Sequence, residues 1–358
     1  MTASRQVLSL ALIVKNEARC IARCLGSVRK IVDEIVVVDT GSTDDTVRLA
    51  QGFGARIERF SWIDDFAAAR NYSLQHTTGD WILVLDADEY SGEALGHEIR
   101  EFIQRRPAIG RLRIVSGFRQ NGQLLQSQSF VSRLFPRGAR FEGRIHEQIV
   151  SDLPRMNLSG ELWHDGYLEV QKSDRNVRML QAELARAPGH VYYLFQLALE
   201  YSSLNQPDMA FDCLRQAYGR AQMTEPFAPN LTVDYLYGIM QQKQFASGLE
   251  AIARTASMLD DFPDFHLACG LFYMNLVRND PAKHIAYLAK IETCFRRCLE
   301  LGDTDKYKSV RGAGSFLAHF NLGTFYHVFG ETAAARRSFE AAAAAGYEPA
   351  VKFLKSAT

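Results

Sequence analysis

The stretch Trp81-Ile82-Leu83-Val84-Leu85-Asp86-Ala87-Asp88-Glu89-Tyr90 decides how this chain is read. An apolar run leads straight into two carboxylates spaced i, i+2, Asp86 and Asp88. On an extended backbone that spacing turns both side chains to one side. At the end of a strand they stand where an open α/β sheet keeps its ligands. Two hard oxygen donors suit Mg²⁺ or Mn²⁺, and such a cation in turn holds a diphosphate. Asp-x-Asp is also common in surface turns, so the surrounding sequence has to carry the assignment.

Outward from this stretch, residues 7 to about 90 alternate strand and helix. The pattern predicts strands over Val7–Val14, Glu34–Asp39, Ala55–Arg59 and Trp81–Asp86, with helices over Glu17–Val28 and Asp65–His76. Ser42-Thr43-Asp44-Asp45 reads as a capping box opening a further helix to about Phe53. Such alternation gives a parallel sheet with right-handed crossovers. From about 111 to 164 shorter strand-like pieces follow, Arg111–Phe118, Phe130–Phe135, Ile145–Val150 and Leu158–Trp163. Asn121-Gly122 is a hairpin signal between the first two. The expectation is an antiparallel extension of the sheet. Polar groups recur at the strand ends, as Asn16-Glu17, as Asp39-Thr40-Gly41-Ser42, and as Asp86 with Asp88. No Gly-x-x-x-x-Gly-Lys-Ser/Thr pattern occurs, and Gly52-Phe53-Gly54 is explained as a helix C-cap. A diphosphate here therefore needs a metal for its neutralisation.

From about residue 172 the chain is helical and repetitive. Leu194, Leu197, Ala198, Tyr201, Ala210, Leu214 and Ala217 fall at the spacing of a tetratricopeptide repeat. His319, Leu322, Gly323, Tyr326, Ala335, Phe339 and Ala342 repeat it. Between them Leu267, Gly270, Tyr273, Phe295 and Cys298 fit only with an insertion around Asp280–Lys290. The expected organisation is an α/β domain over 1–170 and a tetratricopeptide-like helical domain over 171–358, with the boundary near Tyr167–Arg175.

Composition bounds the function. Lys and Arg number 41 and so do Asp and Glu, with 47% hydrophobic residues over 358. Without a net charge or a basic block, neither nucleic acid nor an anionic membrane is expected as a partner. No apolar run reaches the roughly 20 residues that span a bilayer. The N-terminal residues lack the apolar region and cleavage site of a signal peptide. The six cysteines contain no Cys-x-x-Cys pair and read as small apolar helix residues in a reducing compartment. The expected location is the cytoplasm.

Val14-Lys-Asn-Glu17, Val36-Val-Val-Asp-Thr-Gly-Ser-Thr-Asp-Asp45, Asp64-Asp-Phe-Ala-Ala-Ala-Arg-Asn71 and Gly79-Asp-Trp-Ile-Leu-Val-Leu-Asp-Ala-Asp-Glu89 together resemble family-2 glycosyltransferases of the GT-A fold. Phe141-Glu-Gly-Arg-Ile-His-Glu-Gln148 and Trp163-His-Asp-Gly-Tyr167 resemble the subgroup with C-terminal tetratricopeptide repeats. That subgroup includes sublancin-type peptide S-glycosyltransferases and relatives of lipopolysaccharide-core transferases. The resemblance implies a nucleotide-diphosphate sugar as donor, a UDP-sugar foremost, and Mn²⁺ or Mg²⁺. It implies Asp39 at the nucleoside, Asp86 at the ribose or metal, and Asp88 and His164 as metal ligands. Asn16, Glu17 and Arg70 join the donor site. Transfer with inversion needs a base. Glu147 is the candidate and His146 the rival, since an imidazole titrates near the working pH. Alternation along the strand would point the two to opposite faces, so that one of them enters the site. Glu142 is a more distant third.

The repeats are expected to recognise the acceptor, a peptide or protein side chain, with Tyr192, Tyr193, Phe195 and Tyr201 as an aromatic-rich segment. A glycan acceptor, support of the first domain and homodimerisation are the alternatives. Two other classes compete. A haloacid-dehalogenase phosphatase would place Asp-x-Asp on its first core strand, whereas here three strands precede it. A non-catalytic peptide-binding repeat protein would make the first domain a degenerate sugar-nucleotide binder.

Overall fold

The computed structural model describes residues 5–92, 94–105, 107–120, 123–164 and 171–356. It divides into two compact units, Met1–Glu169 and Val170–Thr358.

In the first unit β1 (Leu8–Val14), β2 (Glu34–Asp39), β3 (Arg56–Arg59) and β4 (Trp81–Val84) alternate with α1 (Ile21–Val28), α2 (Thr46–Gly52) and α3 (Phe66–Gln75). After these come β5 (Glu89–Ser91), α4 (Ala94–Phe102), β6 (Ile109–Gln120), β7 (Gln123–Pro136), β8 (Arg140–Glu142), β9 (Gln148–Val150) and β10 (Arg155–His164). The main sheet runs β3-β2-β1-β4-β7-β6-β10-β5, and β8 pairs with β9 separately. β1 pairs in parallel with β2 and β4, and β2 with β3. β7 is antiparallel to β4 and to β6. The extension is mixed rather than purely antiparallel, because β10 runs parallel to β6 and antiparallel to β5. The Asn121-Gly122 turn lies outside the described residues, but Gln120 stands opposite Gln123 across it.

Alternation along β1 explains why it is buried on both faces. Leu8, Leu10, Leu12 and Val14 pack with Ile21 and Leu25 of α1 and Leu95 and Ile99 of α4. Ala11 faces the other way, with Ala67 of α3, Phe135 and Phe141. Two covered faces are what a parallel sheet requires. Parallel pairing also places the C-terminal ends of β1, β2 and β4 on one edge. The strand order reverses between β1 and β4, the place where open α/β sheets bind ligands.

Two local expectations are overturned at this edge. Helix α2 starts at Thr46, and its N-cap Asp45 makes no side-chain capping bond. The Ser42 hydroxyl accepts the Asn16 N–H (2.9 Å) instead, so there is no capping box at Ser42. Strand β4 ends at Val84, short of the expected Asp86, and Glu89 N–H donates to the Asp86 carbonyl (3.0 Å) to close a turn.

The second unit consists of α5 (Gln171–Arg186), α6 (Val191–Ser203), α7 (Pro207–Arg220), α8 (Ala228–Gln242), α9 (Phe245–Thr255), α10 (Pro263–Asn279), α11 (Pro281–His284), α12 (Leu288–Leu301), α13 (Phe316–Val328), α14 (Thr332–Ala344) and α15 (Glu348–Ser356). The pairs α6/α7, α10/α12 and α13/α14 carry the repeat spacings. The insertion is α11 with a following 3₁₀ turn, Ile285–Tyr287. The pair α8/α9 follows the same helix–turn–helix plan and was not legible from the spacing. Leu194, Leu197, Ala198, Tyr201, Ala210, Leu214 and Ala217 are all buried.

The helices of α10/α12 and of α13/α14 approach closely at a glycine, Gly270 and Gly323. A Cβ added at Gly270 would lie 2.5 Å from Cε1 of Phe295, a ring with no exposed surface. Gly270→Ala is expected to destabilise this unit by about 1–3 kcal/mol through overpacking. Urea unfolding monitored on the full chain measures it, and an unchanged midpoint would show that the ring moves aside at no cost.

Candidate active site

Strand β1 delivers Asn16 and Glu17, and β2 delivers Asp39. Asn16 adopts a left-handed φ of 56°, a conformation that asparagine tolerates better than most residues. Its side-chain oxygen accepts the Thr43 N–H (2.7 Å), and Glu17 N–H donates to the Thr46 hydroxyl (2.7 Å). Asn16 and Glu17 thus tie the loop after β1 to the loop after β2. The Asp39 carboxylate accepts N–H groups of Ser42 (3.0 Å) and Gly41 (3.3 Å) and is buried. It shapes the turn that follows its own strand.

Asp86 and Asp88 do not point the same way. The turn after β4 aims Asp86 at two guanidinium groups. Arg70 Nη2 donates to its Oδ1 (2.7 Å) and Arg133 Nη2 to its Oδ2 (2.7 Å). Burial would raise the Asp86 pKa, but Arg133 and Arg70 outweigh it and hold the carboxyl far below the usual range. The Asp86 side chain is still 36% exposed, so water screens these pairs in part. Asp88, buried, lies with Oδ1 3.4 Å from Nε2 of His164. This meeting follows from the sheet, because β5 pairs with β10 and sets Glu89 opposite His164. Nδ1 of His164 is 3.2 Å from the Ser116 hydroxyl, which orients the ring. Burial lowers the His164 pKa, yet the hydrogen bond to Asp88 and the charges of Asp88, Glu89 and Asp86 raise it overall.

Glu147 and His146 lie on no strand. β9 begins at Gln148, and the preceding loop passes through left-handed conformations at Gly143 (φ 98°) and His146 (φ 53°). Strand alternation therefore does not apply to this pair, and the expectation that it orients them is overturned. A histidine at positive φ is strained, and such residues concentrate at functional sites. The Glu147 carboxylate accepts Arg70 Nε at 2.5 Å, and its side chain is 11% exposed. Glu142 is exposed and paired with Arg140.

Two members of the cluster went unread in the sequence, Glu89 and Arg133. Glu89 is buried, accepts the Asp86 N–H (3.0 Å) and pairs with Arg133. Burial pushes its carboxyl up against the pull of Arg133. The one available signal for Arg133 is a lone cation inside the apolar run Phe130–Phe135. Cys24 donates its thiol hydrogen to the Asp86 carbonyl (3.5 Å). Burial and then the nearby carboxylates push this thiol well up, which keeps it inert. None of the six cysteines is bridged.

Among the described residues no group of three or more His, Cys, Asp or Glu side chains is arranged to hold a metal. Asp88 and His164 come together, and Asp86 stands apart on its arginines. Two protein donors nevertheless suit a divalent cation that takes its remaining ligands from water and a substrate diphosphate.

Residues 9–156 match the family described as Glycosyl transferase family 2. Residues 9–156 are thus a family-2 glycosyltransferase domain built on a mixed sheet, and a helical region follows it. A tetratricopeptide repeat-containing protein of Synechococcus elongatus is 39% identical over 157 residues, covering 43% of this chain and 38% of that protein. The SPbeta prophage-derived glycosyltransferase SunS of Bacillus subtilis is 29% identical over 224 residues, covering 59% of this chain and 53% of SunS. The chain thus spans about half or less of the length of these curated relatives. Staphylococcus aureus TarS 1–349, crystallised with UDP-GlcNAc, is 13% identical over 65% of this chain and 81% of that one, at a TM-score of 0.36. No helix among the described residues is long and apolar enough to cross a membrane.

Proposed function

We propose that this protein transfers a sugar, with inversion, from a nucleotide-diphosphate donor to a peptide or protein side chain in the cytoplasm. The observation that carries the reading is the cluster at the C-terminal edge between β1 and β4. Four carboxylates, two arginines and a histidine gather there inside a family-2 domain. The donor lies along this edge, its nucleoside toward Asp39, Asn16 and Glu17. Asp88 and His164 are the residues that would hold Mn²⁺ or Mg²⁺. When bound, such a cation neutralises diphosphate charge. Asp86, already fixed by Arg70 and Arg133, faces the ribose.

Glu147 accepts the proton of the acceptor hydroxyl or thiol. The freed oxygen or sulfur attacks the anomeric carbon from the side opposite the diphosphate. A new glycosidic bond forms as the bond from that carbon to the diphosphate oxygen breaks, and the nucleoside diphosphate leaves with the electron pair.

The helical unit is assigned acceptor recognition. Phe195 and Tyr201 are buried and belong to its core. Tyr192 and Tyr193 are half-exposed, Tyr193 stacking on His190 with centroids 4.1 Å apart, and they are the aromatic pair available to a peptide. Six unbridged cysteines support a reducing compartment.

The test is a screen of the purified protein against UDP-, GDP- and dTDP-sugars with MnCl₂, reading released nucleoside diphosphate. Release is expected foremost from a UDP-sugar and is to stop in excess chelator. Nucleotide binding without turnover under every condition would instead identify a binding module.

A further inference from the structure

Helix α3 is the frame on which the loop 143–147 is hung. Its N-cap Asp65 accepts the Ala68 N–H (2.8 Å). That leaves the N–H of Phe66, one of the donors a helix start cannot satisfy internally, to donate to the Arg144 carbonyl (2.8 Å). Asn71 grips the backbone of Phe141 from both sides, its Nδ2 donating to the carbonyl (2.9 Å) and its Oδ1 accepting the N–H (2.8 Å). Arg70, on the same helix, completes the hold through Glu147. These contacts make the Asp65-Phe-Ala-Ala-Ala-Arg-Asn71 segment the support of that loop.

Arg70 does more than hold the loop. Its Nε and Nη2 serve two different carboxylates, Glu147 and Asp86, whose positions in the chain are 61 residues apart. Asp86 has a second cation, Arg133. Among the described residues Glu147 has Arg70 alone. The guanidinium is buried, its Nη1 has no hydrogen-bond partner among the described residues, and its carbon lies 5.5 Å from the Phe141 ring centroid. We infer that Arg70 is a positioning residue that sets the Glu147 carboxylate in register with Asp86, so that proton acceptor and donor-site carboxylate are placed as one unit. The inference rests on the reading of Glu147 as base. It assigns Arg70 to the chemical step rather than to donor affinity. The rigid fork is essential, because an ammonium is a point charge and cannot span both carboxylates.

The test uses R70K, E147Q and the double variant in the full chain. Transfer by R70K is expected to fall about 100-fold in kcat, within the range of a misplaced general base. Its affinity for UDP in MnCl₂, measured by calorimetry, is to change less than about threefold, since Arg133 still serves Asp86. The double variant is to be no slower than E147Q. An unchanged kcat, a loss of UDP affinity that matches the loss of rate, or losses that multiply in the double variant would overturn the assignment. Thermal unfolding of the same set without any substrate separates this from a failure of the glycosyltransferase reading. If Arg70 holds Glu147, E147Q is to restore stability that R70K removes, even where R70K alone is largely unfolded. Additive shifts in Tm would refute the coupling whatever the protein catalyses.

Discussion

Asp88→Ala is expected to lower turnover by three orders of magnitude or more and to abolish Mn²⁺ binding. The side chain is buried, with its Oδ1 3.4 Å from Nε2 of His164. Removing it leaves the donor diphosphate facing Asp86, Glu89 and Glu147 with less positive charge to offset it. Electrostatic stabilisation by a bound cation is worth several kcal/mol, and each 1.36 kcal/mol is about tenfold in rate. Electron paramagnetic resonance of Mn²⁺ titrated into the variant, with and without UDP, gives a readout independent of activity. Asp88→Asn, which keeps the shape and a hydrogen bond toward His164, separates lost charge from lost packing. Full activity of the wild type in excess chelator would remove the metal from the scheme, and Asp88 and His164 would then be a hydrogen-bonded pair between β5 and β10.

Glu147→Gln is expected to reduce kcat by about 10²–10⁴-fold while leaving donor affinity nearly unchanged. The substitution keeps the length of the side chain and its capacity to accept from Arg70 Nε, and removes its basicity. In a displacement that inverts the anomeric centre, the loss falls on the proton transfer and not on the binding of the nucleotide. NMR of the product decides the stereochemistry. Retention of the donor's configuration would rule out direct displacement with Glu147 as base. An unimpaired variant would pass the role to His146, whose left-handed backbone sets it beside Glu147 on the same loop. A thiol acceptor mutes the effect, because a thiolate needs little help from a base. Comparing hydroxyl and thiol acceptors in the variant therefore also reports on the linkage atom.

The two predictions test different layers of one arrangement. Asp88 and His164 are adjacent because β5 and β10 pair antiparallel, a contact between residues 76 positions apart. Glu147 is placed by helix α3 through Arg70, across 77 positions. The same helix holds Asp86 from the other arm of the guanidinium, so Asp86 and Glu147 share one support.

The order of elements was written locally and could be read from the sequence. The doubly apolar strand Glu34–Asp39, the strand-then-carboxylate run at Trp81–Asp88 and the small-residue spacing of the repeats each follow from side-chain period and burial along a few turns of chain. Parallel pairing then puts Asn16, Asp39 and Asp86 on one edge whatever the details of the loops. What lay beyond such reasoning was the direction of each charged side chain. Asp86 and Asp88 share a spacing that aims them together on a strand, but the strand ends at Val84, and the turn sends one to Arg70 and Arg133 and the other to His164. Glu89 and Arg133 carry no local signature, since a buried charge is identified by its partner and the partner is distant in sequence. Glu147 and His146 sit on a left-handed loop whose course is set by Phe66, Arg70 and Asn71 and not by alternation. Periodicity specifies which residues are buried. Which carboxylate meets which cation is decided only when strands far apart in the chain come into register.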